Sequence, residues 1–445
     1  MKFCMLTSFF GRHSFGGDSA YVDRLSRALA RRGHDVHVIY CRDAFELVRG
    51  DFPERPYEPS PGVTVHGLES GVGPLSPLWT QQTGGPGPKW PAIKRLLGKI
   101  GPDVVHFHNL SLIGGPGLIT KDFGHAVRFM TAHEHWLVCP MHVLWKSDDT
   151  LCETPQCHRC SVGHGRPPQL WRHTGKMQRG LESLDRLIVP SESAALEHRR
   201  RGIVREIDVL PYFLPMDWPF ARRLQGQGRA EQEANAERPY FLCVGRVEKI
   251  KGFQQVVELM KHLPGADLKI AGHGSYLSEI KKLAAGLPNV IFEGQVEGEP
   301  LRRLFRKARA VVVPSLVPET FGYVAIEAFA QGRPVIGREL GALPGILRTS
   351  GGGRTFDNPE TLLELLRLFL QYPELADADG ARGHRAVLSK YNEDNHLETY
   401  FHWVEEAIAG KDLPATANGY ELRNPDEIIS QDFEMNELTD EPKVA

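Results

Sequence analysis

No run of apolar residues in this 445-residue chain reaches the eighteen or more that a membrane-spanning helix needs. Met1–Leu6 leads straight into a loop with no cleavage-site pattern, so the expectation is a cytoplasmic protein. Net charge is also nearly missing. With 53 basic and 55 acidic residues the formal balance is −2, which gives a nucleic-acid partner no electrostatic footing. Cysteine is scarce, and seven is an odd number that suits a reducing compartment better than a disulfide framework. The full G-x-G-x-x-G spacing is absent, which argues against a dinucleotide-dependent dehydrogenase. His133-Glu134-His135 lacks the second histidine of the zinc-protease motif. The D-x-D letters at Asp377–Asp379 fall late in the chain, away from every motif, and read as surface.

What is present begins with length. The chain is too long for one ordinary core, and strand-like and helix-like segments alternate through both halves. That pattern predicts an α/β protein with two parallel-sheet domains facing each other across a cleft. The first domain is placed at residues 1–213, with a cysteine-rich insertion at 139–160, and the second at 214–390. A terminal helix over 391–410 follows, and then a tail over 411–445. The tail carries nine acidic and three basic residues without apolar periodicity, the composition of a disordered segment. Residues Arg222–Arg238 are polar and rich in Gln, Ala and Glu, as an exposed connector would be.

The first half opens with the strand KFCMLTSFF, the loop GRHSFGGDS, and a helix predicted over Ala20–Arg31 with Asp18 or Ser19 as its cap. Gly16 and Gly17 let a phosphate or another backbone approach closely, and the helix start adds amide donors; a plain tight turn is the simpler reading of two glycines alone. Residues 51–91, dense in proline and glycine, read as a long irregular excursion around a strand near Val63–His66. KWPAIKRLLGKI reads as a helix with Ile93, Leu96, Leu97 and Ile100 inward and Lys89, Lys94, Arg95 and Lys99 outward. Such a basic amphipathic helix is either an ordinary surface helix or one that rests on an anionic membrane. A strand ending near Thr131 puts His133, Glu134 and His135 at a carboxyl edge, where open sheets bind ligands. Cys139, Cys152, Cys157 and Cys160 have the spacing C-x12-C-x4-C-x2-C, which suits a structural zinc; packed free thiols, a redox pair or an iron–sulfur cluster are the alternatives.

In the second half the loop GRVEKIKG puts Arg246 and Lys251 just before a helix start. Two cations with amide donors are what a departing diphosphate requires. PSLVPETFGYVAIEAFAQGRPVI places Glu319 in a turn and Glu327 on a helix over Tyr323–Gln331 closed by Gly332. A loop glutamate beside the free amides of Thr320, Phe321 and Gly322 suits a polyol; on these residues alone, a capped helix with a solvated glutamate is an equal reading.

Taken together, the GG loop, GRxxxxKG and the E-x7-E motif resemble the retaining GT-B glycosyltransferases of family 4, over about residues 1–410. HEHW…CP with its cysteines resembles a subset carrying a cysteine-rich insertion, and YNEDNHLETYFHWVEEAIA resembles the terminal helix that returns to the first domain. The resemblance implies that Glu319 holds the donor sugar's hydroxyls with the amides of Phe321 and Gly322, and that Glu327 anchors the ribose. It implies that Arg246 and Lys251 bind the diphosphate, that Gly16 and Gly17 close over it, and that His133 lines the donor-sugar and acceptor side. Backbone at Gly272, Gly274 and Val296 would contact the phosphate and base. The implied reaction moves a sugar from a nucleotide-diphosphate sugar to a hydroxyl of a glycan or lipid-linked acceptor, with retention. It needs neither a catalytic metal nor a protein nucleophile. Peripheral contact with the inner face of a membrane goes with a lipid-linked acceptor. A nucleotide-sugar 2-epimerase of the same fold and a non-catalytic sugar-nucleotide-binding partner are the competing readings.

Overall fold

A computed structural model describes residues 1–50, 54, 56–220 and 238–411. The predicted connector lies outside these residues apart from Arg238, and the acidic tail lies outside them apart from Lys411. The first sheet comprises β1 (Lys2–Thr7), β2 (Asp35–Cys41), β3 (Val63–Leu68), β4 (Val104–Phe107), β5 (Val127–Thr131), β6 (Arg186–Val189) and β7 (Asp208–Val209). Its order is β3-β2-β1-β4-β5-β6-β7, with every neighbouring pair parallel. The central strands are covered on both faces: Phe3, Cys4, Met5 and Leu6 have no exposed surface. The second sheet runs β10-β9-β8-β11-β12-β13, again parallel throughout. Its strands are β8 (Tyr240–Val244), β9 (Asp267–Ala271), β10 (Val290–Gly294), β11 (Ala310–Val313), β12 (Val335–Arg338) and β13 (Gly353–Phe356). Both sheets reverse direction of travel beside their first strand, so each opens a crevice at its carboxyl edge between β1 and β4, and between β8 and β11.

Local features depart from the sequence pattern in four places. The first helix spans Gly16–Arg31, four residues earlier than expected, with Phe15 as its N-cap. Both glycines therefore belong to its first turn, and Asp18 accepts from its neighbour Ser19 N–H without capping the helix. The proline-rich excursion contains a helix, Leu75–Thr83, closed by left-handed Gly84. Proline at its third position is compatible with a first turn, whose N–H groups have no helical partner. Lys89, expected outside, is buried and donates from Nζ to Ser76 Oγ at 2.7 Å. Asp379, expected at the surface, is buried between Arg354 and Arg382.

The terminal helix, Glu393–Ala409, leaves the second domain and packs on the first. Asn392 caps it by accepting from Asn395 N–H at 2.9 Å. Tyr400 lies in the first domain's core with its hydroxyl 3.0 Å from His106 Nδ1, and His396 Nε2 lies 3.0 Å from the Tyr21 hydroxyl. Glu393 is fully buried. Its carboxylate takes Arg31, Arg32 Nη1 at 2.6 Å and Met216 N–H at 3.1 Å, all from the first domain or the segment leaving it. Removing one partner of a buried ion pair leaves the other charges without compensation. Glu393→Ala is therefore expected to lower stability by about 3 kcal/mol in urea denaturation and to speed hydrogen exchange in 393–409. A loss below about 1 kcal/mol would mean that water replaces the carboxylate at no cost.

Candidate functional site

Glu319 sits where β11 gives way to the helix Tyr323–Ala330, in a turn held from both sides. From its own domain, Lys251 Nζ donates to Oε1 at 2.7 Å and Ser315 Oγ donates to the same oxygen. Burial by itself would raise the Glu319 pKa, but the Lys251 ammonium, these two hydrogen bonds and the charge of Arg246 outweigh it. The carboxyl is held below its ordinary value. Both donors converge on Oε1, and among the described residues no hydrogen bond is made to Oε2. The first domain fixes the backbone of this turn. Thr320 Oγ1 donates to the His133 carbonyl at 2.7 Å, Ser191 Oγ donates to the Thr320 carbonyl at 2.7 Å, and His135 Nε2 lies 3.3 Å from the Pro318 carbonyl.

The GRVEKIKG loop lies against the strand end that leads to Glu319. Leu316 N–H donates to the Ile250 carbonyl at 2.8 Å, and a Cβ on Gly252 would stand 2.1 Å from the Pro314 carbonyl oxygen. Glycine is required at 252 on that ground and by its φ of +73°. Lys251 is thereby aimed at the turn, while Arg246 is paired with Glu248 at 2.8 Å. Gly272 and Gly274 pack on the same loop: their Cβ positions would fall 1.9 Å from the Gly245 oxygen and 2.4 Å from the Val247 oxygen. The structure thus gives these two glycines a packing role. Val296 is half-buried against the main core.

Across the cleft, a Cβ on Gly17 would meet the Tyr323 ring at 3.3 Å, so the first domain's glycines face the start of the second domain's helix. Gly16 has φ +73° and Gly322 +98°. Phe321 is buried, its ring 4.9 Å from that of Tyr212. Glu327 is on the same helix and takes Arg24 Nη2 at 2.7 Å; the Arg24 guanidinium lies over the Tyr323 ring at 4.3 Å and the Trp218 ring at 4.8 Å. The His133 ring is buried, with Nε2 2.9 Å from His108 Nδ1 and Nδ1 on the Tyr212 hydroxyl. Burial lowers its pKa to about 3, so it is neutral and bound on both nitrogens.

A second polar group joins Glu134, expected at this carboxyl edge, to Asp18, expected only as a helix cap, and to Asn109, which the sequence did not single out. Asn109 Nδ2 donates to Asp18 Oδ2 at 3.3 Å and to Glu134 Oε1 at 3.1 Å, and His142 Nδ1 lies 2.6 Å from that Glu134 oxygen. Burial, and then the Glu134 charge, raise the Asp18 pKa to about 6. Asp18 directly follows the GG pair, the one local sign of it. Asn109 and Glu134 are joined to it only by the fold.

Cys139, Cys152, Cys157 and Cys160 are free thiols. Burial is the leading cause of raised pKa values at Cys152, Cys157 and Cys160, with neighbouring thiols adding to it. Among the described residues no group of three or more His, Cys, Asp or Glu side chains is gathered for a metal. Their segment reaches the second domain through Asp149 and Lys249 at 2.6 Å. No helix among the described residues is long and apolar enough to cross a membrane.

Two parallel Rossmann-like sheets facing across a cleft, with a cation-bearing loop and a glutamate turn at its wall, define the GT-B class of glycosyltransferases. Residues 15–218 match the model of Glycosyltransferase Family 4 and residues 226–385 that of Glycosyl transferases group 1, and the chain belongs to these glycosyltransferases. It is 28% identical to a D-inositol 3-phosphate glycosyltransferase of an Arthrobacter species over 364 residues, 78% of each chain. Its fold superposes on sucrose-phosphate synthase from Thermosynechococcus elongatus with a TM-score of 0.71 at 22% identity, covering 92% of this chain and 99% of that one. Anabaena HepE, solved with UDP and glucose, gives 0.62 at 12% identity over 91% and 99%.

The raised Asp18 pKa carries a sign. A carboxyl whose pKa is higher folded than unfolded costs stability as pH rises from about 4 to about 6, and the cost is constant above that. Asp18→Asn is expected to stabilise the protein by on the order of 1–3 kcal/mol at pH 7.5, with the difference gone at pH 4. Paired thermal melts at the two pH values check this; an equal difference at both would contradict it.

Proposed function

We propose that this glycosyltransferase moves a sugar from a nucleoside-diphosphate donor to a hydroxyl of a glycan or lipid-linked acceptor with retention of anomeric configuration. The observation that carries this reading is the Lys251–Glu319 pair at 2.7 Å, in the turn that leads into the helix whose first residue, Tyr323, is faced by Gly17 of the other domain. A carboxylate with one committed oxygen and one open oxygen suits a sugar hydroxyl. The adjoining ammonium suits the phosphate that leaves with the nucleotide, so sugar and leaving group are recognised side by side. Arg246 stands near enough to influence Glu319 electrostatically and would exchange Glu248 for a diphosphate oxygen. Amides at the start of the helix Tyr323–Ala330 add donors, and its dipole favours the developing negative charge. The HepE structure, which holds UDP and glucose, supports a donor of this chemical class.

Glu327 fits a ribose anchor if donor binding draws it away from Arg24. His133, neutral and hydrogen-bonded on both ring nitrogens, is suited to shaping the wall of the sugar site rather than to moving a proton. With Glu319 committed to Lys251, retention would come from attack on the donor face that the diphosphate leaves, a phosphate oxygen taking the acceptor's proton. The enzyme's contribution is then positioning and leaving-group stabilisation. Asp18, Asn109 and Glu134 offer the acceptor hydrogen-bond acceptors and a fixed amide.

A screen of UDP-, GDP- and ADP-sugars with glycan and lipid-linked acceptors tests the reading. Acceptor-dependent nucleotide release with a product of the donor's anomeric configuration is expected, whereas a new nucleotide sugar formed without acceptor would mean an epimerase. Lys251→Ala should lower kcat by about 10²–10³ while donor affinity falls much less. Wild-type kcat in that variant would remove Lys251 from leaving-group stabilisation.

A further inference from the structure

Two stretches of the first domain contain no acidic residue at all. Residues 71–102 carry Lys89, Lys94, Arg95 and Lys99, and residues 154–181 carry Arg159, Arg166, Arg172, Lys176 and Arg179. In a chain whose formal charge is −2, nine basic residues without one acid is a strong segregation. The fold joins the two stretches. Trp171 Nε1 donates to the Gln81 carbonyl at 2.8 Å, Lys176 Nζ donates to the Thr83 carbonyl at 2.7 Å, and Gly84 packs under the Trp171 ring.

Large apolar side chains stand out of this same surface. Leu75 is 66% exposed, Leu170 65%, Trp79 53% and Val72 47%, with Leu78 beside them. Leu75, Leu78 and Trp79 belong to the helix Leu75–Thr83, which packs directly on the turn Leu170–His173. The exposed residues are spread along a helix, its preceding loop and a neighbouring turn rather than lining a groove. Exposed Lys94, Arg95 and Lys99 follow on the next helix, and exposed Arg166 and Arg179 flank the turn. Apolar side chains that protrude among cations, with an indole among them, match the interface of a bilayer: hydrocarbon for the leucines, an interfacial layer for tryptophan, and anionic headgroups for the lysines and arginines. A helix or peptide partner would need a concave apolar seat.

We propose that this surface docks the protein on an anionic lipid bilayer, with Leu75, Trp79 and Leu170 inserted and the surrounding Lys and Arg side chains on the headgroups. Its position gives the docking a purpose. Both stretches follow the carboxyl ends of first-sheet strands, β3 for Val72–Thr83 and β5 for the segment through Leu170, and that edge borders the cleft. Arg172 links the patch to the site, donating to the Trp136 and Leu137 carbonyls directly after His133–His135. A bilayer held there lies beside the acceptor side of the cleft. The proposal concerns where the enzyme works and does not depend on the identity of the donor.

Cosedimentation of the full chain with vesicles tests it. Binding is expected to phosphatidylcholine vesicles containing phosphatidylglycerol, with little binding to pure phosphatidylcholine and release by salt. Leu75→Ser with Trp79→Ser, and separately Lys94→Glu with Arg95→Glu and Lys99→Glu, should each reduce partitioning at least about tenfold while the melting temperature holds. In the unaltered protein, brominated lipid should quench tryptophan emission, a readout that needs no variant. Wild-type protein that stays in the supernatant with anionic vesicles, or folded variants that bind as wild type, would overturn the proposal. Nucleotide-sugar binding measured without vesicles reports separately on the reaction, so the two readings fail independently.

Discussion

The site depends on one ion pair, the Lys251 ammonium on the Glu319 carboxylate, kept at 2.7 Å in a half-dry cleft. Each member is about one-fifth exposed, so their attraction is stronger than at an open surface, and neither group has a cheaper partner in water. The pair orders everything around it. Lys251 needs its loop pressed against the end of β11, which needs glycine at 252, and that loop in turn needs Gly272 and Gly274 behind it. Glu319 needs its turn pinned, and three hydrogen bonds from the first domain do so through Ser191, His135 and the His133 carbonyl. A charge pair inside one domain is thus positioned partly by the other.

The seam between the domains continues this dependence. Tyr212 stacks on Tyr323 and meets Phe321 at a tilt from the first domain's side, and its hydroxyl holds the His133 ring. Arg24 crosses to Glu327, and the terminal helix returns to bury Tyr400 and His396 beside His106 and Tyr21.

Much of this was legible from residue order. Alternating strands and helices, the glutamate turn and its helix, the cation loop and the returning terminal helix each have a local pattern, because periodicity and glycine position act within a few residues. What could not be read was whatever depends on distance through space. Asp18, Asn109 and Glu134 are 91 and 25 residues apart in sequence yet share one amide. Arg24 reaching Glu327 spans 303 residues, and nothing near either residue announces it. Lys89 looked like a surface lysine until the helix Leu75–Thr83, hidden in a proline-rich stretch, supplied Ser76 as its buried partner. The four cysteines have a spacing that suits a metal, and their segment meets the second domain through the Asp149–Lys249 ion pair, a contact that neither residue's neighbours announce.

If Glu319 recognises the donor's sugar, that recognition should appear in the ground-state affinity, where calorimetry can read it. The decisive quantity is the ratio of affinities for a nucleotide sugar and for its bare nucleoside diphosphate, compared between the wild type and Glu319→Gln. The preference for the sugar-bearing ligand should fall at least about tenfold, as loss of a charge-assisted hydrogen bond to a sugar hydroxyl requires, with bare-nucleotide affinity changing far less. An unchanged ratio would mean that Glu319 does not hold the sugar, and the roles assigned around the pair would have to be abandoned.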